Sequence, residues 1–258
     1  MQPGAILREA WELYKTHWRT FLPLALVVYI VLGLVSLLLA WVFGWFGVLL
    51  GALVGIVGVF WLQGALVEAV ADVRDGRRDL TMGETFQRVR PKLGTLIVAG
   101  ILAGIAIAIG LVLFIVPGVF LLVIWCLIVP VIVLERKGVM EAFGRSRELV
   151  RGNGWNVFGV IILCLLIWIA VSIVVALLVS FFSDEIRGFL QSLVTNTLVV
   201  PFIALALTLM YYALVSRARP AAEAPVATPA PQSPLTPPPG TTQPPTPPTP
   251  PEPPPARG

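Results

Sequence analysis

Glu84-Thr85-Phe86-Gln87-Arg88-Val89-Arg90, with Thr81 three residues ahead and the apolar run 93–116 behind it, is the stretch on which the fold turns. Thr81 and Glu84 form a Thr-x-x-Glu capping box, which predicts a helix start. Met82, Phe86, Val89, Leu93 and Leu96 then alternate steps of four and three. That spacing puts them on one face of a helix. The same phrase of acid, small residue and aromatic recurs as Glu9-Ala10-Trp11 and Glu141-Ala142-Phe143, and six residues after each Glu comes a base, Lys15, Arg90 or Arg147. Each phrase opens an amphipathic helix of the kind that lies in a membrane interface, aromatic toward the acyl chains and bases toward phosphate. Trp11, Phe86 and Phe143 are the expected interfacial anchors. Glu84–Arg88 and Glu141–Arg145 are spaced as i,i+4 pairs.

Behind each phrase lies enough apolar sequence for two membrane crossings at roughly 20 residues each. The spacing predicts six spans, at about 20–43, 47–71, 93–116, 119–134, 155–182 and 193–215. All must be helical, because a backbone in lipid satisfies its own hydrogen bonds. The expected fold class is all-α: three helical hairpins, each preceded by an interfacial helix. The repeats are expected at about 4–72, 80–134 and 138–217 within a membrane domain 1–219. They are parallel repeats and imply a pseudo-threefold bundle; the alternative is three chance matches between ordinary amphipathic segments. Composition agrees with a membrane protein: 57% of residues are apolar and 12% charged, about half the charge of a soluble domain. The N-terminus lacks the basic region, short apolar core and cleavage site of a signal peptide.

Charge orients the chain. Of the 17 Lys and Arg near the predicted spans, 16 fall on one side and only Arg187 on the other. The positive-inside rule makes that side the cytoplasm and places both termini there. On the outer side, residues 41–46 read as an aromatic turn, Val116-Pro117-Gly118 as a tight turn and 183–192 as a polar loop. The short fourth span leaves open a re-entrant hairpin. Pro130 and Pro201 are expected to kink their helices. Gly47, Gly51 and Gly55, and Gly100, Gly104 and Ala108, present small faces by which spans two and three are expected to pack together. The inserted Arg151-Gly152-Asn153-Gly154-Trp155 predicts a looser helix end in the third copy.

Sites are sparse. Cys126 and Cys164 read as small buried apolar groups, and the only histidine, His17, precedes the spans. No metal cluster, nucleophile elbow or phosphate-binding Gly loop is present, so neither a cofactor nor catalysis is expected. Gln63 and Glu68 form a possible polar site in span two; the blander reading pairs Glu68 with an arginine of the basic loops. Thr195, Asn196 and Thr197 read as packing groups. Arg88, Arg90, Lys92, Arg145, Arg147 and Arg151 are the bases expected to meet anionic lipid or a cytoplasmic partner. Membrane lipids, not nucleic acid, are the expected partners. From Pro220 onward, 17 of the last 39 residues are proline. That tail is expected to be disordered, with polyproline II character and Pro-x-x-P spacings that suit an aromatic groove on a cytoplasmic protein.

Val116-Pro117-Gly118-Val119, Val133-Leu134-Glu135-Arg136-Lys137-Gly138 and Ala142-Phe143-Gly144-Arg145-Ser146-Arg147-Glu148-Leu149-Val150-Arg151-Gly152 carry a resemblance. With weaker similarity over 4–217, the chain resembles a bacterial integral membrane family. That family is similar to the membrane domain of some glycerophosphoryl diester phosphodiesterases and to its stand-alone, uncharacterised relatives. The resemblance implies a six-helix inner-membrane module. The phosphodiesterase activity does not carry over, because the soluble barrel and its catalytic histidines have no counterpart here. The function expected is a non-enzymatic, lipid-interacting or scaffolding membrane module. The alternative is a transporter or channel for a small or amphipathic solute, which needs a polar cavity at mid-membrane.

Overall fold

The computed structural model describes residues 2–74 and 81–218, and every regular element among them is helical. Arg77, Arg78 and the proline-rich stretch 220–258 lie outside the described residues. The elements are α1 (Pro3–Arg74), α2 (Met82–Val89), a 3₁₀ turn (Arg90–Lys92), α3 (Leu93–Leu113), α4 (Ile115–Trp125), α5 (Ile128–Glu135), α6 (Val139–Val150), α7 (Gly154–Leu178) and α8 (Asp184–Ala218). Among the described residues, five helical stretches are long and apolar enough to cross a membrane.

The 72-residue α1 is not one rod. His17 (φ −119°) and Gly44 (φ 57°, ψ −133°) leave helical geometry. Gly44 takes a backbone conformation open essentially to glycine, and the chain reverses there. Gly47 then lies against the backbone of Leu39, Gly51 against Ser36 and Gly58 against Leu32. Residues 18–43 and 45–74 are therefore two antiparallel arms, with Trp41, Phe43, Trp45 and Phe46 exposed at the tip. This corrects the expected use of the Gly47 and Gly51 face, while Gly100 of α3 does meet the second arm of α1, at Phe60. Gly47 and Gly51 pack on the first arm of α1, not on α3. Gly55 and Gly104 have open space around them.

Prolines mark helix breaks, but from downstream. Pro117 does not form the turn. The turn is at Phe114 (φ −156°, ψ 136°), and Pro117 lies in the first turn of α4. Pro130 likewise lies in the first turn of α5, with the break at Cys126 and Leu127. The reason is local. A proline lacks its N–H and its ring crowds the carbonyl four residues back, so the preceding helix must end before it. Pro201 sits inside α8, which continues through it. The polar stretch 184–192, expected as a loop, is the opening of α8: the Arg187 N–H reaches the Ser183 carbonyl at 2.8 Å.

The capping box before α2 follows its sequence, whereas the looser end expected after α6 is instead a capped turn. The capping box at Thr81 forms: the Thr81 N–H and hydroxyl each reach a Glu84 carboxylate oxygen at 2.8 Å. Those two bonds, backbone first, hold the Glu84 carboxyl below its usual range. After α6, Gly152 (φ 81°) turns the chain and the Asn153 N–H caps the Val150 carbonyl at 2.9 Å. That glycine produces a sharp corner, whereas α2 runs through the 3₁₀ turn almost directly into α3.

The core is apolar. Phe21, Leu24, Leu62, Leu66, Leu96, Leu127, Leu205 and Met210 are fully buried. Among the described residues the buried polar side chains are all hydroxyls: Thr85, Ser146, Thr195, Thr197 and Thr208.

Candidate functional site: a basic end of the bundle

Each aromatic of the repeated phrase meets an aromatic on a long helix. Phe86 packs edge-on against Trp61, with centroids 5.4 Å apart. Phe143 meets Trp125 at 4.8 Å and Trp11 meets Phe202 at 6.4 Å, both also edge-on. Such pairs contribute about 1 kcal/mol beyond simple burial. Each lead-in helix is also tied by one hydrogen bond to a backbone carbonyl. Trp61 Nε1 donates to the Phe86 carbonyl at 3.0 Å, Tyr14 to the Leu198 carbonyl at 3.1 Å, and Ser146 to the Ile124 carbonyl at 2.7 Å.

The Ser146 bond has a specific cause. Ile124 lies just before the Pro130-driven break, where a helical carbonyl loses its ordinary donor. The fully buried Ser146 hydroxyl supplies one. Ser146→Ala is expected to leave that carbonyl unsatisfied and to cost about 1–3 kcal/mol. A lowered unfolding midpoint in detergent would register it; an unchanged midpoint would mean another group satisfies the carbonyl.

Two carboxylates organise the helix ends. Glu68, near the end of α1, accepts from Lys92 Nζ at 2.8 Å, and the same ammonium donates to the Val133 carbonyl at 2.5 Å. The partner is thus a lysine at the start of α3 and not an arginine of the loops. Gln63 is half-buried and stands apart from this pairing. Glu135, the last residue of α5, accepts from Arg145 Nε at 3.1 Å on both oxygens and from the Tyr211 hydroxyl at 2.9 Å. Arg145 also bonds Glu148 at 2.9 Å. Neither expected i,i+4 pair closes to ion-pair contact among the described residues: Glu84 and Glu141 bond the caps at Thr81 and Gly138, while Arg88 still acts on Glu84 through its charge.

Between α2, the start of α3 and the α5–α6 connection lies a cavity of about 610 Å³. Among the described residues four bases line it, Arg88, Lys92, Arg136 and Lys137, with one acid, Glu68. Pro91, Thr95 and Ile132 add a mixed floor. Arg136 caps α5 at φ 54°, the one non-glycine with positive φ among the described residues. Glycine usually fills such a cap, and an arginine there costs roughly 1 kcal/mol. Strain of this kind concentrates at functional positions.

Of the six bases singled out from the sequence, Arg88 and Lys92 line this cavity. Lys92 and Arg145 are engaged by carboxylates. Arg90, Arg147 and Arg151 are exposed. Trp11 is half exposed, and Phe86 and Phe143 are partly buried against their aromatic partners. Sequence reading missed Arg136 and Lys137 as cavity bases. The signal was Glu135-Arg136-Lys137-Gly138 itself, a helix end where charges replace the expected cap glycine.

A second cavity of about 540 Å³ is almost wholly apolar. Trp11 and Tyr14 of the first lead-in, Ile167 and Val171 of α7 and Leu198 and Phe202 of α8 line it, with Arg8 as its one charged group. The buried hydroxyls of Thr195 and Thr197 have no hydrogen-bond partner. Cys126 and Cys164 are free thiols. No group of three His, Cys, Asp or Glu comes together among the described residues.

The chain belongs to the family described as Domain of unknown function (DUF7847), whose model matches residues 46–217. It is similar to the UPF0259 membrane protein of Yersinia pestis (strain Pestoides F) and to that of Yersinia pseudotuberculosis (serotype O:3, strain YPIII). Each is 30% identical over 128 residues, covering 50% of this chain and 48% of the relative. The chain spans about half the length of the curated relatives it matches. No solved structure matches it. These matches support a bacterial membrane-protein family and do not carry the phosphodiesterase link implied by the motif resemblance.

Proposed function

We propose that this chain is a non-enzymatic integral membrane module that holds anionic phospholipid at its basic end. Six arms cross the bilayer in this reading: the two arms of α1, α3, α4 with α5, α7 and α8. The three lead-in helices are copies of one unit and lie at the cytoplasmic surface of the inner membrane, with both termini inside. Their cyclic docking supports the repeat: each phrase aromatic packs on the second helix of the hairpin before it, and the first packs on the last. The observation that carries the lipid reading is the basic cavity with Arg90, Arg147 and Arg151 exposed beyond its lining. Bases near an anionic leaflet attract it by about 1 kcal/mol each.

A transporter reading needs a polar path at mid-membrane. The buried core is mostly apolar, with hydroxyls of Thr195, Thr197 and Thr208 among it, and the basic cavity favours the lipid reading over this one. The test is native mass spectrometry of the full chain from mild detergent. Changing Arg90, Arg147 and Arg151 together to Gln is expected to lower retained phosphatidylglycerol at least tenfold, at about 1 kcal/mol per base. Equal retention by both proteins would refute the lipid-holding role.

A further inference from the structure

We propose that the cavity between α2, α3 and the α5–α6 connection is a binding site for a phosphomonoester dianion, a ligand class narrower than anionic lipid in general. This rests on the lipid reading above but makes its own demand on the ligand. Among the described residues four cations line it with one carboxylate, and that carboxylate is already taken by Lys92. The surplus suits a group of about two negative charges better than a phosphodiester, which carries one. A phosphomonoester carries roughly −1.5 to −2 near neutral pH.

The donors are placed for it. An ammonium has three N–H donors; Lys92 uses two, on Glu68 and the Val133 carbonyl, and keeps one. Those two bonds also fix its position. Arg136 brings a guanidinium to the rim from a backbone conformation that glycine would adopt more easily. Arg88 and Lys137 line the same cavity. Lys137 is only loosely held elsewhere, 4.0 Å from a Glu135 that Arg145 and Tyr211 already occupy. At about 610 Å³ the space lies within the roughly 300–1,000 Å³ of small-molecule sites. It therefore holds the phosphate together with part of the group it esterifies, which Pro91 and Ile132 contact. A lipid such as phosphatidic acid and a soluble phosphomonoester share this chemistry.

The experiment uses the full chain in mild detergent and native mass spectrometry with three probes: phosphatidic acid, phosphatidylglycerol and butyl phosphate. The wild-type chain is expected to retain phosphatidic acid about tenfold over phosphatidylglycerol, the factor for one charge-assisted bond. Arg136→Gly is the decisive variant, because glycine relaxes the backbone while removing the cation; a lost preference cannot then come from misfolding. Lys137→Gln is expected to act in the same direction. Butyl phosphate binding that disappears in Arg136→Gly would support the site with a soluble source. Equal retention of the two lipids without butyl phosphate binding would overturn it, as would a preference unchanged by Arg136→Gly. If phosphatidylglycerol still depends on Arg90, Arg147 and Arg151 in that case, the broader lipid reading stands and only the phosphomonoester site falls.

Discussion

Gly47→Leu is expected to destabilise the fold by roughly 3 kcal/mol or more, the upper range for forcing bulk into a packed contact. A Cβ on Gly47 would overlap the carbonyl of Leu39, and it would come 2.8 Å from the Ala40 nitrogen. Both are backbone atoms, so no rotamer change relieves the clash. The two arms of α1 must splay, and the contacts further down loosen with them: Gly51 on Ser36, where a Cβ would already sit at 3.2 Å, and Gly58 on Leu32. Gly55 belongs to the same four-residue spacing but has nothing within 4 Å of its Cβ position. Gly55→Leu is therefore the control, with an expected change within about 0.5 kcal/mol. Thermal unfolding in detergent, followed by far-UV circular dichroism, separates the two. If Gly47→Leu melts no lower than Gly55→Leu, the tight hairpin is wrong.

Glu135→Ala carries the second large effect, roughly 2–4 kcal/mol, below the top of the range for breaking a buried pair because the carboxylate is 18% exposed. Its loss removes the acceptor shared by Arg145 and Tyr211, so α5, α6 and α8 are untied at one point. Arg145 would keep only Glu148, whose side chain is 68% exposed. Glu148→Ala should cost under about 1 kcal/mol, as exposed pairs do. A double-mutant cycle with Tyr211→Phe isolates the Tyr211 share; a coupling near zero would show that hydroxyl to be satisfied elsewhere. Weakening at Glu135 is also expected to increase hydrogen exchange at the end of α5, next to the Arg136 cap.

The repeated phrase marked three amphipathic helices: the second and third begin two residues before their Glu, whereas the first begins six before it, at Pro3, and leaves Trp11 half exposed. It was legible because capping and helical periodicity are local: Thr81 and Glu84 are three residues apart, and Phe86 and Val89 share a face at any orientation. The partners of those aromatics were not legible. Trp61, Trp125 and Phe202 occupy unrelated positions in their apolar runs, and nothing in a lipid-facing stretch separates a packed aromatic from an exposed one. The small-residue faces show the same limit. A spacing of four announces that something approaches closely, but the Gly44 reversal decided that the neighbour of Gly47 and Gly51 is the first arm of α1. Pro117 and Pro130 were legible as breaks but misplaced by about three residues, because a proline's steric demand falls on the carbonyl four residues earlier, whereas α8 runs on through Pro201.

By itself, the sequence determined the helical class, the apolar lengths, the crowding of bases beside the lead-in phrases and the helix caps. All of these depend on hydropathy, charge or hydrogen bonds within a few residues. Only the tertiary structure decided that Glu68 takes Lys92, that Tyr14 reaches a carbonyl 184 residues away, and that Arg136 and Lys137 join Arg88 and Lys92 around one cavity. Those pairings depend on which helix ends lie side by side, and that follows from close packing of many apolar side chains that sequence periodicity leaves interchangeable.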